Sequence, residues 1–257
     1  MRLLSILYLL ISCLLTSMTV HAETHVLYDG ALGTLPSTQG WLYGDTPLFS
    51  SDATQAMTGN TPNSVNMDST TTITDSSGYF SDALPLLSPH PNLPILNRNQ
   101  GYHVNFGLEV LSETHVNNDR AGFSIIALSS DNIGIEMAFW ENEIWAQHDG
   151  DPLFTHGEKI THTTTVQTLY DLFIFNNNYE LRADDNLILT GLLRDYSAHS
   201  NAIYSKTNFL FFGDDTSSAS ANINLDSFSV TTVPLPAGFW LFATALIGLY
   251  RRQLISS

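Results

Sequence analysis

The chain has 257 residues, with 9 Lys and Arg against 25 Asp and Glu, and a formal charge of −16. Only 13% of its residues are charged, against about 25% in an average globular protein. Such a chain is not built for nucleic acid, whose affinity rests on Lys and Arg neutralising phosphates. With a single cysteine it is not a disulfide-stapled small domain either.

Residues 1–22 have the layout of a secretory signal peptide. Arg2 is the positive start, Leu3 to Leu15 is the apolar stretch, and Val20-His21-Ala22 presents a site for signal peptidase between Ala22 and Glu23. The apolar run has 13 residues, fewer than the ~20 that span a bilayer. Leu10-Ile11-Ser12-Cys13 also matches a lipoprotein box, but Leu14 and Leu15 carry the apolar run past it. Cleavage after Ala22 leaves a mature chain with no thiol and no disulfide.

Between residues 23 and 232 no helical apolar period is sustained, and period-two alternation takes its place. Residues 44–100 are looser, rich in Ser, Thr, Asn and Pro, with an edge strand expected near Ser69–Thr74. Tyr102, Val104, Phe106, Leu108 and Val110 alternate with His103, Asn105, Gly107 and Glu109. Ile133, Ile135, Met137 and Phe139 make a second strand, and Tyr170, Leu172 and Ile174 a third. Asn176-Asn177-Asn178 and Asp184-Asp185-Asn186 read as turns, because Asn and Asp tolerate positive φ. Tyr179 and Leu181 resume between them, and Leu187–Leu189 follow. Phe209–Phe212 and Ala221–Leu225 close the series, with Gly213-Asp214-Asp215-Thr216 as the turn between them. Short strands with turn signals every 8–12 residues predict an all-β fold, here one antiparallel two-sheet jelly-roll sandwich over 23–232. The only linker expected is Thr231–Pro236.

The succession GYHVNFGLEVL, AGFSIIALSS, NIGIEMAFW, TLYDLFIFNNNYELRADDNLILTG and NFLFFGDDT, across about residues 100–230, resembles a concanavalin A-like, laminin-G-like jelly roll. The resemblance implies a two-sheet sandwich that often binds glycans on its concave face and sometimes hydrolyses them. Trp140, Glu141, Glu143 and Trp145 are the candidate glycan contacts. Alternation places Glu141 and Glu143 on one strand face, about 7 Å apart, with the two Trp as stacking platforms. A retaining glycosidase needs carboxyls ~5–5.5 Å apart. The Glu-x-Asp-x-x-Glu of laminarinase-type relatives is absent, so two solvated acids are the plainer reading.

His148-Asp149-Gly150-Asp151, Asp184-Asp185 and Asp214-Asp215 have carboxylates close in sequence. Calcium takes 6–8 oxygens, so each reads as an acidic turn, with a weak structural calcium left open. His156 and His162 read as solvated, and Asp119-Arg120 and Arg194-Asp195 as local ion pairs. No phosphate-binding glycine loop, nucleophile elbow or zinc motif occurs. No catalytic, cofactor-binding or metal-binding residue is therefore assigned.

At the C-terminus Val233-Pro234-Leu235-Pro236-Ala237 precedes the apolar residues 238–250, and Arg251-Arg252 opens the basic tail 251–257. Thirteen helical residues rise about 20 Å, short of the ~30 Å hydrocarbon core, so residues 238–250 predict a short transmembrane helix. The Pro residues stop it extending backwards, and the Arg pair fixes its cytoplasmic end. This order resembles the PEP-CTERM sorting signal of Gram-negative bacteria, here spelled VPLP without the Glu. The resemblance implies transient residence in the inner membrane, then cleavage near the motif by an exosortase-type membrane protease. A sortase signal lacks its Thr-Gly here, and a GPI signal would end without Arg-Arg.

Removing both signals leaves six basic residues against all 25 acids, or −19. The expectation is an exported cell-surface or extracellular-matrix protein, without enzymatic activity, that meets extracellular polysaccharide. The alternatives are a glycan-active hydrolase or lyase on the same scaffold, and an adhesin or structural subunit with a large apolar patch.

Overall fold

In the computed structural model the described residues are 22–46, 51–60, 62–82, 88–200 and 202–233. The signal-peptide interior and the sorting signal from Pro234 onward lie outside them. Among the described residues no helix is long and apolar enough to cross a membrane. All strands described below belong to the compact unit Thr24–Thr232, apart from the first residue of β1.

Among the described residues fifteen strands follow one another: β1 (Glu23–Asp29), β2 (Leu42–Thr46), β3 (Thr54–Met57), β4 (Val65–Asp68), β5 (Ser76–Phe80), β6 (Tyr102–His115), β7 (Ser124–Leu128), β8 (Gly134–Phe139), β9 (Glu143–Gln147), β10 (His156–Thr161), β11 (Thr168–Phe175), β12 (Asn178–Ala183), β13 (Asn186–Leu192), β14 (Phe209–Asp214) and β15 (Ala219–Thr232). The first sheet has the order β13-β12-β11-β6-β15-β4-β3, with β1 also paired to β15. The second has the order β10-β9-β8-β7-β14-β5-β2. Neighbours along both orders pair antiparallel.

The alternating side chains of β6 and β11 are buried on one face, from Tyr102 to Val110 and from Tyr170 to Ile174. They meet Phe139, Phe212 and Phe228 between the sheets, where Phe106 stacks on Tyr170 at 5.4 Å and stands edge-on to Phe139 at 5.9 Å. Offset and edge-to-face rings of this kind add about 0.5–1.5 kcal/mol per pair to simple burial. The turn at Asp184-Asp185 takes φ of 47° and 65°, the positive values a tight two-residue hairpin needs.

Several expectations shift. Residues 69–75 connect β4 to β5 rather than forming an edge strand, and the loose stretch 44–100 contributes parts of β2 and all of β3 to β5. The expected polar turn 213–216 begins late: β14 runs through Asp214, which is buried. Thr231 and Thr232 belong to β15, not to a linker, because they pair with His103 and Tyr102.

Candidate functional site

The outer face of the first sheet is open where β11, β12 and β13 lie side by side. Two rows cross the strands there by register. Phe175 stands opposite Asn178, which stands opposite Leu192; Phe173 stands opposite Glu180, which stands opposite Thr190. These residues, with Tyr179, Gly191 and Glu158 of β10, line an open cleft of about 470 Å³. Phe173 and Phe175 lie parallel, 6.0 Å apart, and His103 stacks on Phe173 at 4.4 Å. Asp171 holds that imidazole at 2.8 Å. Phe175 is 43% exposed and Leu192 58%.

Glu158 arrives from the other sheet. Its Oε2 accepts from Arg194 at 2.6 Å and from the Tyr179 hydroxyl at 3.3 Å. Burial pushes the Tyr179 hydroxyl well above the ordinary tyrosine value, and the Glu158 charge adds to it. Gly191 makes this approach possible, since a Cβ there would lie 2.7 Å from both Glu158 Cδ and Tyr179 Cε1. Glu180 Oε2 accepts from Arg182 at 2.8 Å. The cleft therefore offers an aromatic shelf, an apolar rim and two carboxylates already steadied by arginines.

The outer face of the second sheet is covered where β7, β8 and β14 lie side by side. In β14, Leu210 and Phe212 face the main core, while Phe209 and Phe211 face a second cluster with Phe154, Tyr196 and Tyr204. The last three come from the segments after β9 and β13, which cover the sheet. This is why SIIAL and FLFF are continuous apolar runs: both faces of those strands are buried.

Of the four residues expected to contact glycan, Glu143 alone sits on a strand facing solvent in part. Glu141 lies in the tight turn before β9, closed by Trp140 N–H donating to the Glu143 carbonyl at 2.9 Å. The two acids are thus not neighbours on a strand face. Glu141 Oε1 accepts from Glu113 N, and Glu143 pairs with His156 at 3.0 Å and Lys159 at 3.0 Å. Trp145 is 0% exposed, with His156 stacked on it at 4.1 Å and Trp140 edge-on at 4.7 Å. Trp140 stacks on His115 at 3.9 Å. Neither ring is an open sugar platform.

His156 is not solvated either. Its Nδ1 contacts Asp119 at 2.9 Å and its Nε2 contacts Glu143 at 3.0 Å. The bond to His156 holds the Asp119 carboxyl below its usual range. The pairs expected from sequence adjacency do not form: Arg120 donates to the carbonyls of Asp119 and Phe154, and Arg194 meets Glu158 and Asp149. The side chains of Asp149, Asp184 and Asp214 accept from Asp195 N, Leu169 N and Ser69 Oγ. Among the described residues no three acids or histidines converge to hold a metal ion.

A second cleft of about 290 Å³ lies along β2, β5 and β14, lined by Asp45, Phe80, Ile203, Phe211, Asp214 and Asp215 among others. Behind it, the Tyr204 hydroxyl lies 2.7 Å from Glu136 Oε2 and 2.9 Å from Asp215 Oδ2. Its single proton serves one of these contacts, so the other needs a proton on a carboxyl. Burial raises both acids, Glu136 well above the ordinary range, and the charge of Asp215 pushes Glu136 further. Glu136 and Tyr204 are buried, so only Asp215 reaches the cleft.

The aromatic shelf has a local signal in the sequence. In TLYDLFIF the positions alternating with Tyr170, Leu172 and Ile174 hold Leu169, Phe173 and Phe175. Three large apolar side chains on the polar face of a strand mark a surface that touches something. Glu158, by contrast, joins the cleft from the other sheet, a contact no local pattern announces.

No family model matches the chain, and no curated protein does. Solved structures do resemble it. A carbohydrate esterase from Shiga toxin-encoding bacteriophage phi24B is 12% identical, with 83% of this chain and 100% of that one covered at a TM-score of 0.54. Domain 4 of a GH43 extracellular arabinanase from Geobacillus stearothermophilus, solved with arabinotriose, is 10% identical, with 84% and 96% covered at a TM-score of 0.50. At these identities the likeness concerns the fold, and the chain is an antiparallel two-sheet sandwich of the jelly-roll kind.

Proposed function

We propose that this protein is an exported surface or matrix module that binds extracellular polysaccharide without transforming it. The observation that carries the proposal is the β11–β13 cleft, with its exposed Phe175, its parallel neighbour Phe173 and the carboxylates of Glu158 and Glu180. Concave sites with apolar faces and a few placed polar groups are the usual form of a small-ligand site, and aromatic faces suit the C–H faces of sugar rings. The glycan ligand and activities named for the structural neighbours support the reading by fold analogy alone. Binding of the full-length protein to a panel of polysaccharides, followed by affinity electrophoresis, tests it. Retardation by at least one polymer is expected; no retardation by any contradicts it.

The route to the surface rests on the two ends of the sequence. Signal peptidase removes residues 1–22, and an exosortase-type protease cuts near Val233-Pro234-Leu235-Pro236-Ala237 once Arg251-Arg252 has stopped translocation. The surface form should begin at Glu23 and lack peptides beyond about Ala237 by mass spectrometry. A surface form that retains Arg251-Arg252, or starts at a lipidated Cys13, contradicts this route.

The second reading, a hydrolase or lyase, is favoured by one observation: Asp215, a carboxyl raised by burial that shares a proton network with Tyr204 and Glu136, faces the second cleft. Proton donation to a leaving group is the chemistry such an acid can supply. Turnover of a polysaccharide that Asp215→Asn abolishes would establish it in place of the binding module.

A further inference from the structure

We infer that the β11–β13 cleft takes uncharged sugar residues and excludes uronate-type anionic glycans, a refinement that rests on the glycan-binding reading above. Three observations converge on this ligand class.

The first is the state of the cations. Between the two signals, from Glu23 on, the chain has six Lys and Arg against 25 acids, and each of the six is engaged by protein oxygens. Arg98 meets Asp131 at 2.8 Å, Lys159 meets Glu143 at 3.0 Å, Arg182 meets Glu180 at 2.8 Å, Arg194 meets Glu158 at 2.6 Å and Lys206 meets Asp82 at 3.3 Å. Arg120 is held by the carbonyls of Asp119 and Phe154 and lies over the Phe154 ring. A sugar carboxylate is recognised by cations or by a fork of donors. To recruit one of these, it would have to displace an acid or a backbone carbonyl of the protein.

The second is the chemistry of the cleft wall. Glu158 and Glu180 each use Oε2 on an arginine. Among the described residues nothing donates to the Oε1 of either. An ionised carboxylate can only accept, and sugar hydroxyls are donors. The carboxylate of a uronate brings no donor at neutral pH, and its charge meets two carboxylates, each already paired with an arginine, in a domain of −19.

The third is the shelf. Phe175 presents 43% of its surface beside the rings of Phe173 and His103. An apolar face next to hydroxyl acceptors matches the two sides of a neutral pyranose or furanose: C–H face and O–H edge.

The test is affinity electrophoresis of the full-length protein in gels containing a β-glucan, an arabinan, a galactomannan, alginate or polygalacturonate, with EDTA throughout to remove divalent bridges. At least one uncharged polymer should retard the protein, and neither uronate polymer should. Phe175→Ala should weaken the retained interaction about tenfold, the loss of one stacked ring. Phe175→Leu, which keeps apolar volume, should lose most of the same affinity, so a folding defect cannot mimic the result. Glu180→Gln should weaken binding less, and Leu169→Ala, exposed on the same sheet outside the cleft, should leave it unchanged. Retardation by a uronate polymer that Phe175→Ala removes overturns the inference but keeps the glycan-binding reading. Retention of an uncharged polymer that ignores both Phe175 variants places the site elsewhere and overturns the inference. If no polymer retards the protein, both fail.

Discussion

The two outer faces of the sandwich carry similar chemistry and put it to different use. On the second sheet, Trp140, Trp145, His156, Glu143 and Asp119 form a packed, mutually bonded group, and Phe154, Tyr196 and Tyr204 seal the strands beside it. On the first sheet, aromatic and acidic side chains meet again, Phe173, Phe175 and Glu180 with Glu158 reaching over from β10, but the Phe175 ring and the cleft-facing carboxylates stay open. Aromatics and acids at sugar-binding spacing thus mean nothing until it is known what covers them. A covering segment turns such groups into structure, and its absence leaves them open to solvent.

That contrast can be broken by substitution. Trp145→Ala removes a fully buried ring and should lower stability by about 3–5 kcal/mol, measured by denaturant unfolding. A loss below ~1 kcal/mol would mean that the covered face is not part of the core. Gly191→Ala drives a methyl against Glu158 and Tyr179 and should cost about 1–3 kcal/mol. It should also weaken glycan retention, because Glu158 must move; unchanged retention would remove Glu158 from the site.

Glu136→Gln tests the shared proton. A carboxyl raised by burial keeps its proton in the fold at a pH where the unfolded chain has released it. The fold then binds more protons, so stability falls as pH rises from about 4 toward neutrality. Glu136 and Asp215 act in this direction. Asp119, lowered by His156, acts oppositely, its contribution being lost as pH falls below about 4. In Glu136→Gln the new side-chain amide would donate to Tyr204 Oη and free the tyrosine proton for Asp215. The variant should gain about 1 kcal/mol at pH 8 and show a flatter pH slope in thermal unfolding than the parent. A steeper slope would assign the proton elsewhere. Smallest of all, Phe175→Ala should alter stability by less than about 0.5 kcal/mol while it weakens binding about tenfold; a large loss of stability would mean that the shelf is core.

Much of the sandwich was legible in the residues. Alternation at 102–110 and 170–174 marked strands whose inward faces are the core, and Asp184-Asp185 marked a hairpin that needs positive φ. The stretch 44–100 was harder, because β2 to β5 are four or five residues long and lean on partners distant in sequence: β5 on β14, β4 on β15. The surroundings of Trp140, Glu141, Glu143 and Trp145 were hidden for a related reason. Period two tells which side chains share a face, but not whether loops such as 148–155 return to bury it. The pairing of Arg194 with Glu158 instead of Asp195 shows the same limit: ion pairs follow the sheet packing, not chain adjacency.

The central claim is that binding belongs to the open face. Hydrogen-exchange mass spectrometry of the full-length protein, with and without a retained neutral oligosaccharide, tests it directly. Slowed exchange should appear in residues 168–192, with residues 148–156 and 194–208 unchanged. Protection confined to 148–156 and 194–208, with 168–192 unaffected, would contradict it.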